Sequence, residues 1–270
     1  MDPPVVNPDS QSLSDSELKR YSRQLMLSEI GEAGQLKLRQ SSVLVVGAGG
    51  LGSPAAIYLT ASGVGRLGIV DGDVVEASNL QRQILHRNRD VGRPKTFSAC
   101  RTLESINPDI DVEEFPGHVD AENVLRIVAG YDIVVDGTDN FSSRYLIADA
   151  CRLANRPLVS GAILQFDGQV TLLNVGDGPC YRCLYPSPPT NGAESSCSDA
   201  GVLGVLPGVI GTIQATEAIK WILEIGQSLS GRLLTYDALA MQFRSLVVRR
   251  KSECPLCGPL PKCTSNANTA

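Results

Sequence analysis

The chain has 270 residues, 43% hydrophobic and 20% charged, with a formal net charge of −5. That balance is ordinary for a soluble globular protein and argues against nucleic acid as the main partner, because phosphate binding needs clustered Lys and Arg; the basic run Arg249-Arg250-Lys251 reads as a solvated strand end. No apolar run approaches the roughly 20 residues of a membrane-spanning helix, and residues 1–16 lack the basic and apolar regions of a secretory signal, so a cytoplasmic protein with no membrane partner is expected.

In chain order, residues 1–13 read as disordered. An amphipathic helix opens at Ser14 or Asp15, with Glu17 completing a capping box if Ser14 is the cap. Helical apolar spacing runs over Leu18–Leu38 and breaks near Gly31 and Gly34, which predicts two helices. Val43–Val46 is a β-branched run suited to a buried parallel strand. A glycine turn at Gly47–Gly52 and a helix at Ser53–Ser62 follow, then a second strand at Leu67–Val70 that ends on Asp71. A helix over Thr96–Ile106, a strand near Asp111–Phe115 and a helix over Ala121–Ala129 come next. Ile133–Val135 is a strand ending at Asp136, and Arg144–Leu153 a helix.

This βαβ alternation predicts an α/β fold, a Rossmann-like and mostly parallel sheet with helices on both faces. Beyond about residue 157 the rhythm changes. Leu158–Ser160 is one more strand, and Gly168–Asn174 alternates like an antiparallel one. A polar, proline-rich loop spans Tyr185–Ser198. Val209–Ile225 reads as a helix, and Leu233–Asp237 with Phe243–Arg249 as closing antiparallel strands. The expected organisation is a flexible segment over 1–20, a single domain over 21–258 divided near residue 157, and a loose tail over 259–270.

Gly47-Ala48-Gly49-Gly50-Leu51-Gly52 fits G-x-G-x-x-G between a predicted strand and a predicted helix, the context the fingerprint requires. Its glycines allow close backbone approach to phosphate, and the helix N-terminus supplies oriented N–H donors. Asp71, at the end of the next strand, is placed to accept from a ribose diol. Alone, this pattern indicates an adenine nucleotide, and an NAD-dependent oxidoreductase stands as the alternative reading. Three features favour a triphosphate. Asn79-Leu80-Gln81-Arg82-Gln83 and Lys95 bring cations and amides close behind Asp71. Asp136-Gly137-Thr138-Asp139-Asn140 puts a potential Mg²⁺ carboxylate at a strand end, where such sheets bind ligands. The two histidines, His86 and His118, read as packing or surface residues and leave hydride transfer few candidates.

Eight cysteines in a chain expected in the cytoplasm point to metal or catalysis more than to disulfides. Cys180-Tyr181-Arg182-Cys183 and Cys254-Pro255-Leu256-Cys257 form two C-x-x-C pairs, suited to a closed structural zinc site; reduced or redox-active thiols are the alternative. Cys197 stands apart in a polar loop as a potential nucleophile, with no neighbouring His or Lys to activate it. Cys100 and Cys151 fall in helices as buried small hydrophobes, and Cys263 lies in the tail.

With these residues assembled, the chain resembles the MoeB/ThiF-type adenylyltransferases, relatives of the ubiquitin-activating enzymes, from about Tyr21 to Gly258. The matching motifs are Tyr21-Ser22-Arg23-Gln24, the Gly47–Gly52 turn, Ser78–Gln83, Lys95, Asp136–Asn140 and the two zinc knuckles. Cys197–Gly204 looks closest to the molybdopterin-synthase sulfurylase and tRNA-thiolation branch. The resemblance implies ATP-dependent adenylation of the C-terminal glycine carboxylate of a ubiquitin-like sulfur carrier ending in Gly-Gly. Pyrophosphate is released, and the carrier is prepared for sulfur transfer in molybdenum cofactor, thiamin or thio-tRNA synthesis.

The same resemblance implies the site. ATP would be held by Gly47, Gly49, Gly50 and Gly52, by Asp71 on the ribose, and by Ser78, Asn79, Leu80, Gln81, Arg82, Lys95, Asp139 and Asn140. Asn79, Arg82 and Lys95 would meet phosphates, and Asp139 would bind Mg²⁺. Arg23 matches an arginine that relatives insert into the neighbouring subunit, so a homodimer is expected. Cys180, Cys183, Cys254 and Cys257 would bind Zn²⁺, making residues 158–258 the carrier- and zinc-binding half and about 41–157 the nucleotide-binding half. Cys197 aligns with a cysteine that forms a thioester or acyl-disulfide in some relatives and is dispensable in others. Many relatives carry a C-terminal rhodanese domain. This sequence ends soon after Cys257, so sulfur is expected from a separate persulfide donor, a rhodanese or a cysteine desulfurase, unless the sequence is truncated.

Overall fold

A computed structural model describes residues 12–188 and 200–258. The capping box at Ser14 is formed: Glu17 N–H donates to Ser14 Oγ at 3.3 Å and Ser14 N–H donates to Glu17 Oε2 at 2.8 Å. It opens α1 (Asp15–Arg20), which is followed by α2 (Ser22–Leu25) and α3 (Gly31–Gln40). The Leu18–Leu38 stretch thus holds three helices where the spacing suggests two. The additional break falls at Tyr21, whose ring is buried and whose hydroxyl accepts from Asn107 Nδ2 at 2.8 Å, a tertiary contact that outweighs local helical continuity. The expected break at Gly31 is present, with φ at +54°.

Eight strands then form one sheet. In chain order they and their helices are β1 (Ser42–Val46), α4 (Gly52–Ala61), β2 (Arg66–Asp71), α5 (Lys95–Ile106), β3 (Asp111–Pro116), α6 (Val124–Ala129), β4 (Ile133–Asp136), α7 (Phe141–Leu153), β5 (Leu158–Leu164), β6 (Asp167–Leu173), α8 (Tyr181–Leu184), α9 (Leu206–Leu223), β7 (Arg232–Asp237) and β8 (Gln242–Val247). The spatial order is β3-β2-β1-β4-β5-β6-β7-β8. The first five are parallel and the remainder antiparallel.

All of β1 is buried, as a strand covered on both faces must be, which explains its unbroken run of apolar residues. Alternate side chains serve opposite cores. Val43 and Val45 pack with Ala55, Leu59, Leu103 and Ile210 beneath α4, α5 and α9. Leu44 and Val46 pack with Val128, Val134, Ile147 and Cys151 beneath α6 and α7. Each fully buried aliphatic side chain contributes about 1.5–3 kcal/mol. Cys100 and Cys151 are buried in their helices as the sequence suggests.

Several boundaries move. β5 runs on to Leu164 and turns through Gln165 (φ +51°) into β6, so the strand expected over Leu158–Ser160 is the parallel half of a longer hairpin arm. The helix expected from Val209 begins at Leu206, because Pro207 sits in the first turn, where its missing N–H leaves no bond unmade. It ends at Glu224, which is left-handed at φ +58°. β1 and β4 are neighbours while the chain from β1 leads to β2 on the other side. This is the switch point where sheets of this kind open a crevice beyond the carboxyl ends of their strands.

Candidate functional site

The crevice is built first from the glycine turn. Gly47 has φ +93°, and a Cβ there would stand 2.9 Å from Gly137 O, so only glycine lets the turn lie against the β4 loop. A Cβ on Gly52 would reach 1.8 Å from Gly47 O, so the start of α4 closes onto the turn only without one. A Cβ on Gly49 would meet nothing nearer than Gln83 Nε2 at 3.7 Å, and this face of the turn is open to the cleft. The turn is braced by the end of β2. Ala48 N–H donates to Asp71 Oδ2 and Asp73 N–H to Asp71 Oδ1, each at 2.8 Å.

The segment after β2 supplies cations. Arg82 Nη1 donates to Ser78 O at 3.1 Å, which bends its guanidinium back onto its own turn. Lys95 opens α5 with its side chain only 7% exposed, and Nζ donates to Asp73 Oδ2 at 2.8 Å. Gln83 is buried, and its Oε1 has no hydrogen-bond partner among the described residues. Gly47, Gly49, Gly50, Asp71, Arg82, Lys95, Asp139 and Asn140 line this one cleft, so eight of the residues named from sequence converge. Gly52, Ser78, Asn79, Leu80 and Gln81 do not line it; Asn79 is buried and accepts from Glu76 N–H at 3.1 Å, bracing the loop that carries Arg82.

The β4 loop forms the opposite wall. Asp136 is fully buried; one carboxylate oxygen accepts from Thr138 N–H at 3.0 Å and Thr138 Oγ1 at 2.7 Å, and Oδ2 has no hydrogen-bond partner among the described residues. Burial pushes its carboxyl above the usual range, opposed by the nearby Arg144 charge. Arg144, 8% exposed, donates from Nε at 3.3 Å and Nη2 at 3.0 Å to Thr138 O. It thereby holds the peptide just before the exposed Asp139. Asn140 caps α7, its Oδ1 accepting from Ser143 N–H at 2.9 Å. A second cleft shares Asp139, Arg144 and Ile163 with the first and is lined further by Phe141, Tyr181, Tyr185 and Arg244.

Sequence reasoning passed over Arg144, Gln83 as a separate cleft residue, and Asp73. Arg144 left a signal, a charged residue one turn after a capping Asn on a helix that is otherwise half apolar. Arg23 is exposed on α2 and lines neither cleft. Cys197 lies outside the described residues.

The two C-x-x-C pairs meet. Cys180, Cys183, Cys254 and Cys257 are buried with their sulfurs all within 4.8 Å of one another. Neighbouring Sγ atoms stand 3.4, 3.4 and 3.8 Å apart. A tetrahedron with metal–sulfur bonds of about 2.3 Å has edges of about 3.8 Å, so the donor set and its spacing fit a closed zinc site. None of the four is in a disulfide.

The ThiF family matches residues 21–256, nearly the whole described chain. The chain belongs to the ThiF family. It is 54% identical over 247 residues to the SAMP-activating enzyme E1 of Haloferax volcanii, covering 92% of this chain and 91% of that protein. It is 53% identical over 250 residues to the sulfur carrier protein adenylyltransferase of Thermus thermophilus, covering 91% and 92%. The adenylyltransferase and sulfurtransferase MOCS3 of Arabidopsis thaliana is 52% identical, but this ThiF-family chain spans only 53% of its length. Among solved structures, Escherichia coli MccB with ATP superposes at a TM-score of 0.78 with 26% identity, covering 89% of this chain and 75% of that one. An NAD-dependent oxidoreductase is not favoured by these relatives. No helix of the described residues is long and apolar enough to cross a membrane.

Proposed function

We propose that this chain uses ATP to adenylate the C-terminal glycine carboxylate of a ubiquitin-like sulfur-carrier protein ending in Gly-Gly, releasing pyrophosphate. The observation that carries this reading is the convergence of the glycine turn, Asp71, Arg82, Lys95 and Asp139 on one cleft at the carboxyl ends of parallel strands. One relative at 53% identity is named a sulfur carrier protein adenylyltransferase, and another at 54% a SAMP-activating enzyme E1.

In this reading Asp71 accepts from the ribose, and the glycine turn and α4 face the phosphates with backbone N–H groups and a helix N-terminus. Arg82 and Lys95 offset negative charge as the carrier carboxylate attacks the α-phosphorus and pyrophosphate leaves. Asp139 holds Mg²⁺, which when bound supplies further charge neutralisation at the phosphates. The second cleft, joined to the first at Asp139 and Arg144, receives the extended carrier tail and orients its carboxylate; catalysis is largely positioning. The four cysteines hold Zn²⁺ in a structural role. Arg23 completes the site of a partner copy in a homodimer. Sulfur arrives from a persulfide donor, and the setting is the cytoplasm.

The test is ATP–pyrophosphate exchange with purified Gly-Gly carriers from the same cell. Exchange dependent on a carrier supports the reading. Absence of exchange with every such carrier would falsify it.

A further inference from the structure

His86 lines neither cleft, yet it is 3% exposed and both ring nitrogens are engaged. Nε2 lies 2.9 Å from Ala48 O and Nδ1 lies 2.9 Å from Ser98 Oγ. A carbonyl only accepts, so Nε2 carries the proton and donates to Ala48, which in a neutral imidazole leaves Nδ1 to accept from the Ser98 hydroxyl.

Each partner belongs to an element that contributes a residue to the lining of the first cleft. Ala48 is in the glycine turn. Ser98 lies in the first turns of α5, three residues beyond Lys95. His86 itself ends the loop that carries Arg82 and Gln83, and its N–H donates to Gln83 O at 3.1 Å. Three separate pieces of the cleft therefore meet at one imidazole.

The Ala48 carbonyl shares its peptide plane with the Gly49 N–H, and in a trans peptide the two point in opposite directions. Drawing Ala48 O down onto His86 turns the Gly49 N–H the other way, on the residue whose open face lines the cleft. The same turn is held at its Ala48 N–H by Asp71. The Ala48 residue is thus clamped on both sides.

We propose that His86 is a positioning residue for nucleotide: through Ala48 it aims the Gly49 N–H at the phosphates, and through Ser98 it keeps Lys95 in register with that turn. The inference rests on the cleft being a nucleotide site, as proposed above.

The test is MgATP binding by titration calorimetry on the wild type, His86→Phe, His86→Gln and Ser98→Ala. Phe keeps a buried ring without either bond, and its Kd for MgATP is expected to rise at least about tenfold, the scale of one to two buried hydrogen bonds. Gln can donate to Ala48 and accept from Ser98, and is expected to recover affinity to within about threefold. Ser98→Ala loses one bond and is expected to weaken binding about two- to fivefold. In the exchange assay the KM for ATP should rise in His86→Phe while the KM for the carrier holds.

A His86→Phe protein that melts earlier but binds MgATP like the wild type overturns the inference, because the residue is then only packing. If that variant does not fold, Ser98→Ala and His86→Gln decide: wild-type affinity in the first, or affinity lost in the second beyond the loss in Ser98→Ala, also overturns it. A wild type that binds no MgATP defeats the nucleotide reading of the cleft and this inference with it. Tight MgATP binding without carrier-dependent exchange sinks only the adenylation reading.

Discussion

Asp71 Oδ2 and the Ala48 backbone N–H stand 2.8 Å apart, so the acid at the end of β2 fastens the glycine turn at the end of β1. Its other oxygen takes the Asp73 N–H, also at 2.8 Å. The carboxylate is therefore both a brace and the proposed ribose acceptor. Asp71→Ala is expected to lower unfolding free energy by about 1–3 kcal/mol, because two backbone donors lose their partner, and to raise the KM for ATP at least about tenfold. Denaturant unfolding and nucleotide titration separate the two effects. A stability loss with an unchanged KM would leave the brace and remove the ribose role.

The four-cysteine cluster ties α8 to the C-terminal end of the described chain, with Cys180 and Cys254 separated by 74 positions. Closing so long a loop with an ion bound only by the native state adds binding free energy to folding. Burial pushes the Cys180 thiol above its ordinary range, and a dication at the centre reverses that. Cys180→Ser is expected to lose stoichiometric zinc and melt earlier, with elemental analysis and thermal melts falling together. Full zinc content in that variant would show that the cluster is not the site.

Much of this fold was legible in the sequence, for physical reasons that differ by element. β1 could be read because a strand buried on both faces must be apolar throughout, and the Gly47–Gly52 turn because positive φ and close approach exclude side chains. The glycine turn, Asp71 and Asp139 each lie at or just beyond the carboxyl end of a readable parallel strand, where such sheets bind ligands, so the cleft's main residues were visible. What local pattern does not carry is the tertiary partner. The break at Tyr21 depends on Asn107, distant in sequence. Gln214 donates from α9 to Asp136 O at 2.7 Å and Val159 O at 3.2 Å, joining β4 and β5 in a way no spacing announces. His86 looked like packing because its two partners, Ala48 and Ser98, lie on separate elements.

Arg144 makes two hydrogen bonds to a single oxygen, Thr138 O, from a nearly buried position beside Asp139. A lysine there retains the charge but lacks the planar fork that makes both bonds. Arg144→Lys is therefore expected to slow carrier-dependent pyrophosphate exchange by about 10- to 100-fold, the scale of losing one to two buried charge-assisted bonds. Zinc content should stay unchanged, since the cluster lies elsewhere. Exchange at the wild-type rate would show that the Thr138–Asp139 peptide is held without it.

His86 also sets a pH dependence of stability. Burial holds its imidazole below the ordinary value of 6.5, and the Lys95 charge acts in the same direction, while the bond to Ala48 and the Asp71 and Asp90 carboxylates oppose. The unfolded chain, with an ordinary imidazole, binds more protons than the native state once the pH falls below about 6.5. The stabilisation is thus complete above the unfolded value and is lost as pH falls through the lowered native one. His86→Gln has no proton to gain, and every other titrating group is common to both proteins. Unfolding free energies measured at stepped pH should show the wild type's advantage over His86→Gln shrinking as the solution is acidified below about 6.5. An advantage that stays constant to about pH 5, or grows, would mean that burial does not hold the native ring neutral.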